Sequence, residues 1–180
     1  MRIFVAIEIT NNHTINLIKK IQENINIDAK PTESKNLHFT LQFLGEISEE
    51  ITQKIIQSLK TIKFSSFDVN LKEIGVFPKP KFPRVIWIGT DEVGGNMLIQ
   101  LSKKVEKVLE PLGFFSDRPF KPHITVFRIK KKIGDISGEL ENHKMINFGT
   151  QKVSNIKLKK SVLAAGVPIY SDLLEVSAKK

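Results

Sequence analysis

Hydrophobic residues fall along this chain in two rhythms. Residues 2–9 are apolar-rich and predict a first strand, too short and too soon charged to be a signal peptide. The rhythm then changes. Ile15, Ile18, Ile21 and Ile25 recur at helical spacing behind Asn11 or Asn12, either of which can cap a helix. A polar loop over 31–36 leads to a strand-like run from His38 to Gly45. Ser48 is a good N-cap, and Glu49 and Glu50 sit in the first turn, where the helix dipole favours them. The stripe of that second helix is Ile51, Ile55, Leu59 and Ile62.

Alternation resumes from Phe67 to Phe77 and predicts another strand. Pro78, Pro80 and Pro83 predict a stiff loop before a strand from Val85 to Thr90, which carries the only tryptophan, Trp87. Gly94-Gly95 is expected to precede a helix with the stripe Leu98, Leu101, Val105, Val108 and Leu112, ended by Gly113. A loop over 114–121 leads into a second strand that opens with a histidine, His123. A short helix over 135–142, one strand over 153–163, a turn at Gly166-Val167-Pro168 and a last strand over 169–176 complete the chain.

Residues 2–77 run strand, helix, His strand, helix, strand, and residues 85–163 repeat that order. The repeat predicts two lobes related by a pseudo-twofold axis, with the two His strands meeting across a groove. No linker-like segment divides the halves, so a single bilobal domain over 1–180 is expected.

Composition narrows the class. A chain of 180 residues with 41% hydrophobic and 26% charged residues reads as a soluble globular protein without a membrane partner. There is no cysteine, so no disulfide or thiolate metal site, and the cytoplasm is the default compartment. Monomer is the default assembly. The net charge of +9 suits a polyanionic partner and equally a solvated basic surface.

Chemistry concentrates in the two His strands. His38-Phe39-Thr40-Leu41 and His123-Ile124-Thr125-Val126 share the pattern His, apolar, Thr, apolar, 85 residues apart. Chance gives His-x-Thr about 0.2 times in such a composition, and two or more copies with a probability of about 0.015. Strand periodicity puts His38 and Thr40 on one face, and His123 and Thr125 likewise. Two imidazoles at one point supply a base and an acid together near neutral pH. In-line displacement at phosphorus needs that pair, and the Thr40 and Thr125 hydroxyls can hold the non-bridging oxygens. The scheme asks for no metal and no cofactor. Arg128 lies five residues after His123, so strict alternation turns it to the opposite face. It reaches a phosphate only if the strand twists, bulges or ends first.

These two runs resemble those of the two-histidine phosphoesterase superfamily, and more closely its RNA 2′,3′-cyclic phosphodiesterase branch, also called the 2′-5′ RNA ligase-like family. The likeness extends over Arg2–Ile7, His38–Gly45, Pro83–Gly89, Arg118–Thr125, Ser161–Leu163 and Gly166–Tyr170, in the family's order. It implies an α+β fold: two pseudo-symmetric lobes, each an antiparallel sheet with helices outside, facing each other across a central cleft. It implies metal-independent hydrolysis of cyclic phosphate ends on RNA, tRNA fragments among them, to a 2′-phosphate. By the family's assignment His38 is the proton donor to the leaving 3′ oxygen and His123 the proton acceptor that activates water. Phe127 stands where the family often has a small residue; its ring either stacks on a base or fills space.

Three other readings use the same residues. Run backwards, the acid–base pair joins a 5′-hydroxyl to the cyclic phosphate as a 2′-5′ bond, against the competition of ~55 M water. A non-catalytic RNA-binding module would use the positive charge and exposed rings such as Phe82, Phe115 and Phe120, although most phenylalanines read as core. A metal site on His38 and His123 lacks a third ligand, because His13 and His143 have no ligand spacing to the motifs.

Overall fold

The computed structural model describes residues 1–180. The first apolar run is strand β1 (Arg2–Glu8). Helix α1 (Asn12–Asn24) follows, capped by Asn11, whose side chain accepts a hydrogen bond from the Thr14 amide at 3.0 Å. Strand β2 (Lys30–Pro31) and a 3₁₀ turn (Ser34–Asn36) occupy the expected loop. Next come β3 (His38–Glu46) and α2 (Glu49–Leu59), the latter capped by Ser48, with Ile55 and Leu59 fully buried. The second half holds β4 (Phe67–Lys79), β5 (Phe82–Thr90), α3 (Glu92–Leu109), β6 (Ile124–Arg128), α4 (Ser137–Glu141), β7 (Asn147–Val153), β8 (Asn155–Ala164) and β9 (Val167–Ser177).

Strand order is β7-β4-β5-β6-β3-β1-β8-β9, antiparallel throughout, with β2 added beside β6. Between β3 and β6 the only paired residues are Phe39 and Ile124, both fully buried. That single bridge divides the strands into two four-stranded lobes, β9-β8-β1-β3 and β6-β5-β4-β7, which face each other across a cleft. The expected pseudo-symmetry holds with an exchange. β8 lies beside β1 as β4 lies beside β5, so the first lobe takes β8 and β9 from the second half of the chain and the second lobe takes β4 from the first. One cluster of 33 buried hydrophobic residues runs through both lobes. Helix α1 packs on β6 and β7, and α3 on β3 and β4. No helix is long and apolar enough to cross a membrane.

Four local expectations need correcting. The proline-rich stretch 78–83 is a hairpin, not a loop: Lys79 opposes Phe82 across a two-residue turn, and Pro78 opposes Pro83. The pair beyond a hydrogen-bonded closing pair needs no ladder N–H, so the prolines are tolerated. Gly94 and Gly95 lie inside the first turn of α3, which Asp91 caps. Asp91 Oδ1 accepts from the Asn70 amide and Oδ2 from Gly94, drawing the helix start onto β4. A Cβ on Gly94 would sit 2.9 Å from Val69 Cα, so close approach is what the glycine permits. The run 153–163 is the end of β7 and the body of β8, broken at Ser154. β7 escapes notice because Gly149, at φ +88°, interrupts its alternation. Finally, the loop over 31–36 contributes β2 and packs against β6.

Candidate active site

Both His strands carry a bulge, and at the same place. In the β1–β3 ladder Val5 pairs with Gln42 and Ala6 with Thr40, which leaves Leu41 unpaired. In the β5–β6 ladder Ile86 pairs with Phe127 and Trp87 with Thr125, which leaves Val126 unpaired. Each extra residue directly follows the threonine of its motif. A bulge resets side-chain parity, so Leu41 and Gln42 are buried in succession, as are Val126 and Phe127. The residue five after each histidine then turns into the cleft. These two residues are Phe43 and Arg128.

Arg128 therefore lines the same cavity as both motifs, and the parity objection is removed. The bulged Val126 carbonyl, released from the ladder, accepts from the Thr32 amide at 2.9 Å and Gln22 Nε2 at 3.0 Å. Phe127 is 2% exposed and fills the core, which decides against base stacking by that ring.

The cavity holds about 280 Å³ and brings together His38, Thr40, His123, Thr125 and Arg128. All five residues that the sequence singled out converge. Thr32 and Asn36 from the β2–β3 connection, Phe43, Phe77, Val85 and Tyr170 complete the lining and were not foreseen. A signal existed for Phe43, which stands at the same offset from His38 as Arg128 from His123. The others come from elements that only the topology brings near.

Each imidazole is latched in the same way. His38 Nδ1 lies 2.6 Å from the Asn36 carbonyl, and His123 Nδ1 lies 2.6 Å from the Lys121 carbonyl. A carbonyl only accepts, so Nδ1 carries the proton in both rings and Nε2 is left free for a substrate. Aromatic walls fix the ring planes. Tyr170 meets His38 edge-on at 5.7 Å and Phe4 lies at 5.3 Å; Phe77 meets His123 edge-on at 5.3 Å.

Burial is the main cause that holds both rings below the ordinary imidazole pKa. His38 is pushed down to about 4, with Lys159 and Arg128 adding to burial, and with the Asn36 carbonyl and Glu8 opposing. His123 is lowered by burial and by Arg128, against the Lys121 carbonyl. At neutral pH the free cleft thus presents two neutral imidazoles beside one unpaired guanidinium.

Behind His38 lies a neutralised ion cluster. Lys157 Nζ is 3.0 Å from Glu8 and 2.7 Å from Asp172, while Lys159, 5% exposed, reaches Asp172 at 2.6 Å and also Glu8. Burial opposes ionisation of Glu8 and Asp172, yet the two lysines hold both carboxyls below their usual range. No three His, Cys, Asp or Glu side chains meet to hold a metal ion. His13 and His143 lie outside the cleft.

An imidazole and a hydroxyl on each of two facing, pseudo-symmetric sheets define a two-histidine phosphoesterase. The family described as LigT like Phosphoesterase matches residues 7–87. Similarity over the full length comes from an RNA 2′,3′-cyclic phosphodiesterase of Archaeoglobus fulgidus, 36% identical over 96% of this chain and 98% of that protein. One of the same name from Methanocaldococcus jannaschii is 38% identical over 97% and 99%. Among solved structures, E. coli LigT complexed with 3′-AMP superposes with a TM-score of 0.79 at 26% identity, over 99% of this chain and 98% of that one. The protein TT0787 of Thermus thermophilus gives 0.79 at 26%, over 98% and 97%. The chain belongs to the LigT-like phosphoesterase family.

Proposed function

We propose that the protein hydrolyses 2′,3′-cyclic phosphate ends of RNA to 2′-phosphates. The observation that carries the reading is the duplicated site: two His–Thr pairs on facing sheets, each ring held by a carbonyl two residues back. Thr40 and Thr125 hydroxyls and the Arg128 guanidinium bind the non-bridging oxygens. His123 Nε2 takes a proton from water, whose oxygen attacks phosphorus in line with the P–O3′ bond. That bond breaks, and His38 Nε2 gives a proton to O3′. The phosphorus keeps its bond to O2′, and the product is a 2′-phosphate monoester.

The donor must be charged when the bond breaks, and the free cleft holds it neutral. The bound phosphodiester anion offsets the repulsion from Arg128 and Lys159 and favours the imidazolium. Substrate binding and proton uptake are therefore coupled in this scheme. No step calls on a metal. The protein acts as a cytoplasmic monomer, and tRNA fragments are among the RNAs with such ends.

Incubation with a short RNA ending in a 2′,3′-cyclic phosphate, in excess EDTA, tests the reading. Wild type should release only the 2′-phosphate, and His38→Ala with His123→Ala should release none while remaining folded. A 3′-phosphate product, loss of turnover in EDTA, or normal turnover by the double variant would refute it. A 2′-5′ joint formed with a 5′-hydroxyl RNA would identify ligation at the same atoms.

A further inference from the structure

A second hollow opens off the catalytic cleft. The two share Thr32, Asn36, Arg128 and Tyr170, so the hollow directly adjoins the cleft. Its floor is β2 and the end of β6, and its far wall is the β8–β9 turn at Gly166–Pro168. Lys30 lies opposite Arg128 in the β2–β6 pairing, and Lys130 follows two residues later. Three cations thus line one continuous wall, running outward from the site.

The charge there is uncompensated, and this separates it from the rest of the cleft. None of Lys30, Arg128 and Lys130 has a carboxylate partner, while the one acid in the hollow, Glu33, is taken by Lys35 at 3.1 Å. On the other side of Tyr170, Lys157 and Lys159 are bound by Glu8 and Asp172. Unpaired cations converging beside a cleft focus a positive potential at that mouth alone. Nor is Lys30 on a loose loop. Thr32 donates to the Val126 carbonyl, and Gln22 Nε2 donates to the Thr32 and Val126 carbonyls at 2.9 and 3.0 Å, stapling β2 to the bulge that aims Arg128.

We propose that this hollow holds the RNA strand on the 5′ side of the cyclic end, with Lys30 and Lys130 contacting its backbone phosphates. The proposal rests on the phosphodiesterase reading for what occupies the cleft. A cyclic phosphate closes the 3′ end of a chain, so the remaining RNA leaves through the 5′ oxygen of the last sugar, and its phosphates need a cationic path away from Arg128. Lys30 and Lys130 provide it, while Pro31, Val167 and Pro168 offer apolar surface to sugars and bases. A cyclic mononucleotide carries no phosphate at that position. The protein accordingly discriminates by chain length: it takes oligonucleotide ends in preference to free cyclic nucleotides.

The binding measurement uses product-like ligands, so it is read independently of turnover. Fluorescence anisotropy compares a pentaribonucleotide ending in a 2′-phosphate with labelled adenosine 2′-monophosphate, on wild type and on Lys30→Ala/Lys130→Ala. Each single-strand phosphate contact adds about 0.7 to the slope of log Kd against log salt. The double variant should lose about 1.4 of that slope and bind the pentamer at least about tenfold more weakly at low salt. Its affinity for the mononucleotide, and its turnover of cyclic adenosine 2′,3′-monophosphate, should match wild type. Equal losses for both ligands, or an unchanged pentamer slope, overturn the proposal. If neither protein hydrolyses a cyclic end but the two slopes differ as stated, the strand path stands and the phosphodiesterase reading falls.

Discussion

Mild acid should weaken this fold through its histidines before any carboxylate responds. His38 titrates near 6.5 in an unfolded chain and at about 4 in the fold. A histidine with a lowered folded pKa contributes stability that is present above the unfolded value and is lost as pH falls toward the folded one. Between pH 7 and pH 5 the unfolded chain takes up a proton that the folded ring refuses, at about 1.4 kcal/mol per pH unit. The loss from His38 is then about 2 kcal/mol by pH 5 and about 3 kcal/mol by pH 4. One side of the ring borders the cleft, so solvent reduces these figures. His123 adds to the loss with the same sign. Glu8 and Asp172 are lowered from ordinary values of 4.5 and 3.8, so their contribution is still in place between pH 7 and pH 5 and begins to be lost only below about pH 5.

Urea unfolding of wild type and His38→Gln at pH 7, 6 and 5 measures this directly. Wild type should lose about 1–2 kcal/mol more than the variant over that range, with m-values unchanged. Parallel stability curves would show that burial does not hold the ring neutral. A wild type that gains stability on acidification would reverse the sign of the reasoning.

The pH dependence of catalysis should carry the same signature: kcat/KM, which reports the free enzyme, should fall on its alkaline side through an apparent pKa below 6.5, while kcat is displaced upward by the bound anion. Superimposable profiles would argue against coupled proton uptake. Arg128→Ala should lower kcat by about 100-fold, with Thr40→Ala and Thr125→Ala costing about tenfold each, measured in single-turnover assays with a cyclic-ended RNA. Glu8→Gln should destabilise the fold by about 1–3 kcal/mol by leaving buried Lys159 with one carboxylate, read from urea midpoints at pH 7.

The elements that set the site were legible where local chemistry decides them. Asn11 and Ser48 cap their helices as their side chains predict, and β3 and β6 form where β-branched and aromatic residues alternate behind the histidines. What escaped was long-range or conformational. β2 is two residues long and exists because Gln22 and a freed carbonyl on β6 hold it there, an interaction 104 residues apart in the chain. The wall that Tyr170 gives to His38 depends on β9 pairing with β8 beside β1. Arg128 shows the limit of periodicity most clearly. Its residue type suited a phosphate and its spacing spoke against one; the bulge at Val126 reconciles them, and nothing in a single sequence marks that bulge except two consecutive apolar residues, Val126 and Phe127.

The twin bulges also bear on how a symmetric site becomes directional. Each lobe offers an equivalent slot five residues past its histidine, and the chain fills one with Arg128 and the other with Phe43, 71% exposed. The histidine latches are alike, so the rings themselves cannot tell attacking water from the leaving oxygen. Only their neighbours differ. Lys159 and its carboxylates stand behind His38, and nothing charged in that role stands behind His123. The slot pair sets a cation on one side of the cleft and an apolar ring on the other. Exchanging the slot residues, Phe43→Arg with Arg128→Phe, would preserve the pair of latches while reversing this polarity. The RNA would then have to leave away from Lys30 and Lys130. Chain-length preference should collapse in that variant even if cyclic mononucleotides are still cleaved, whereas an undiminished preference for oligonucleotides would mean that the slots do not set direction.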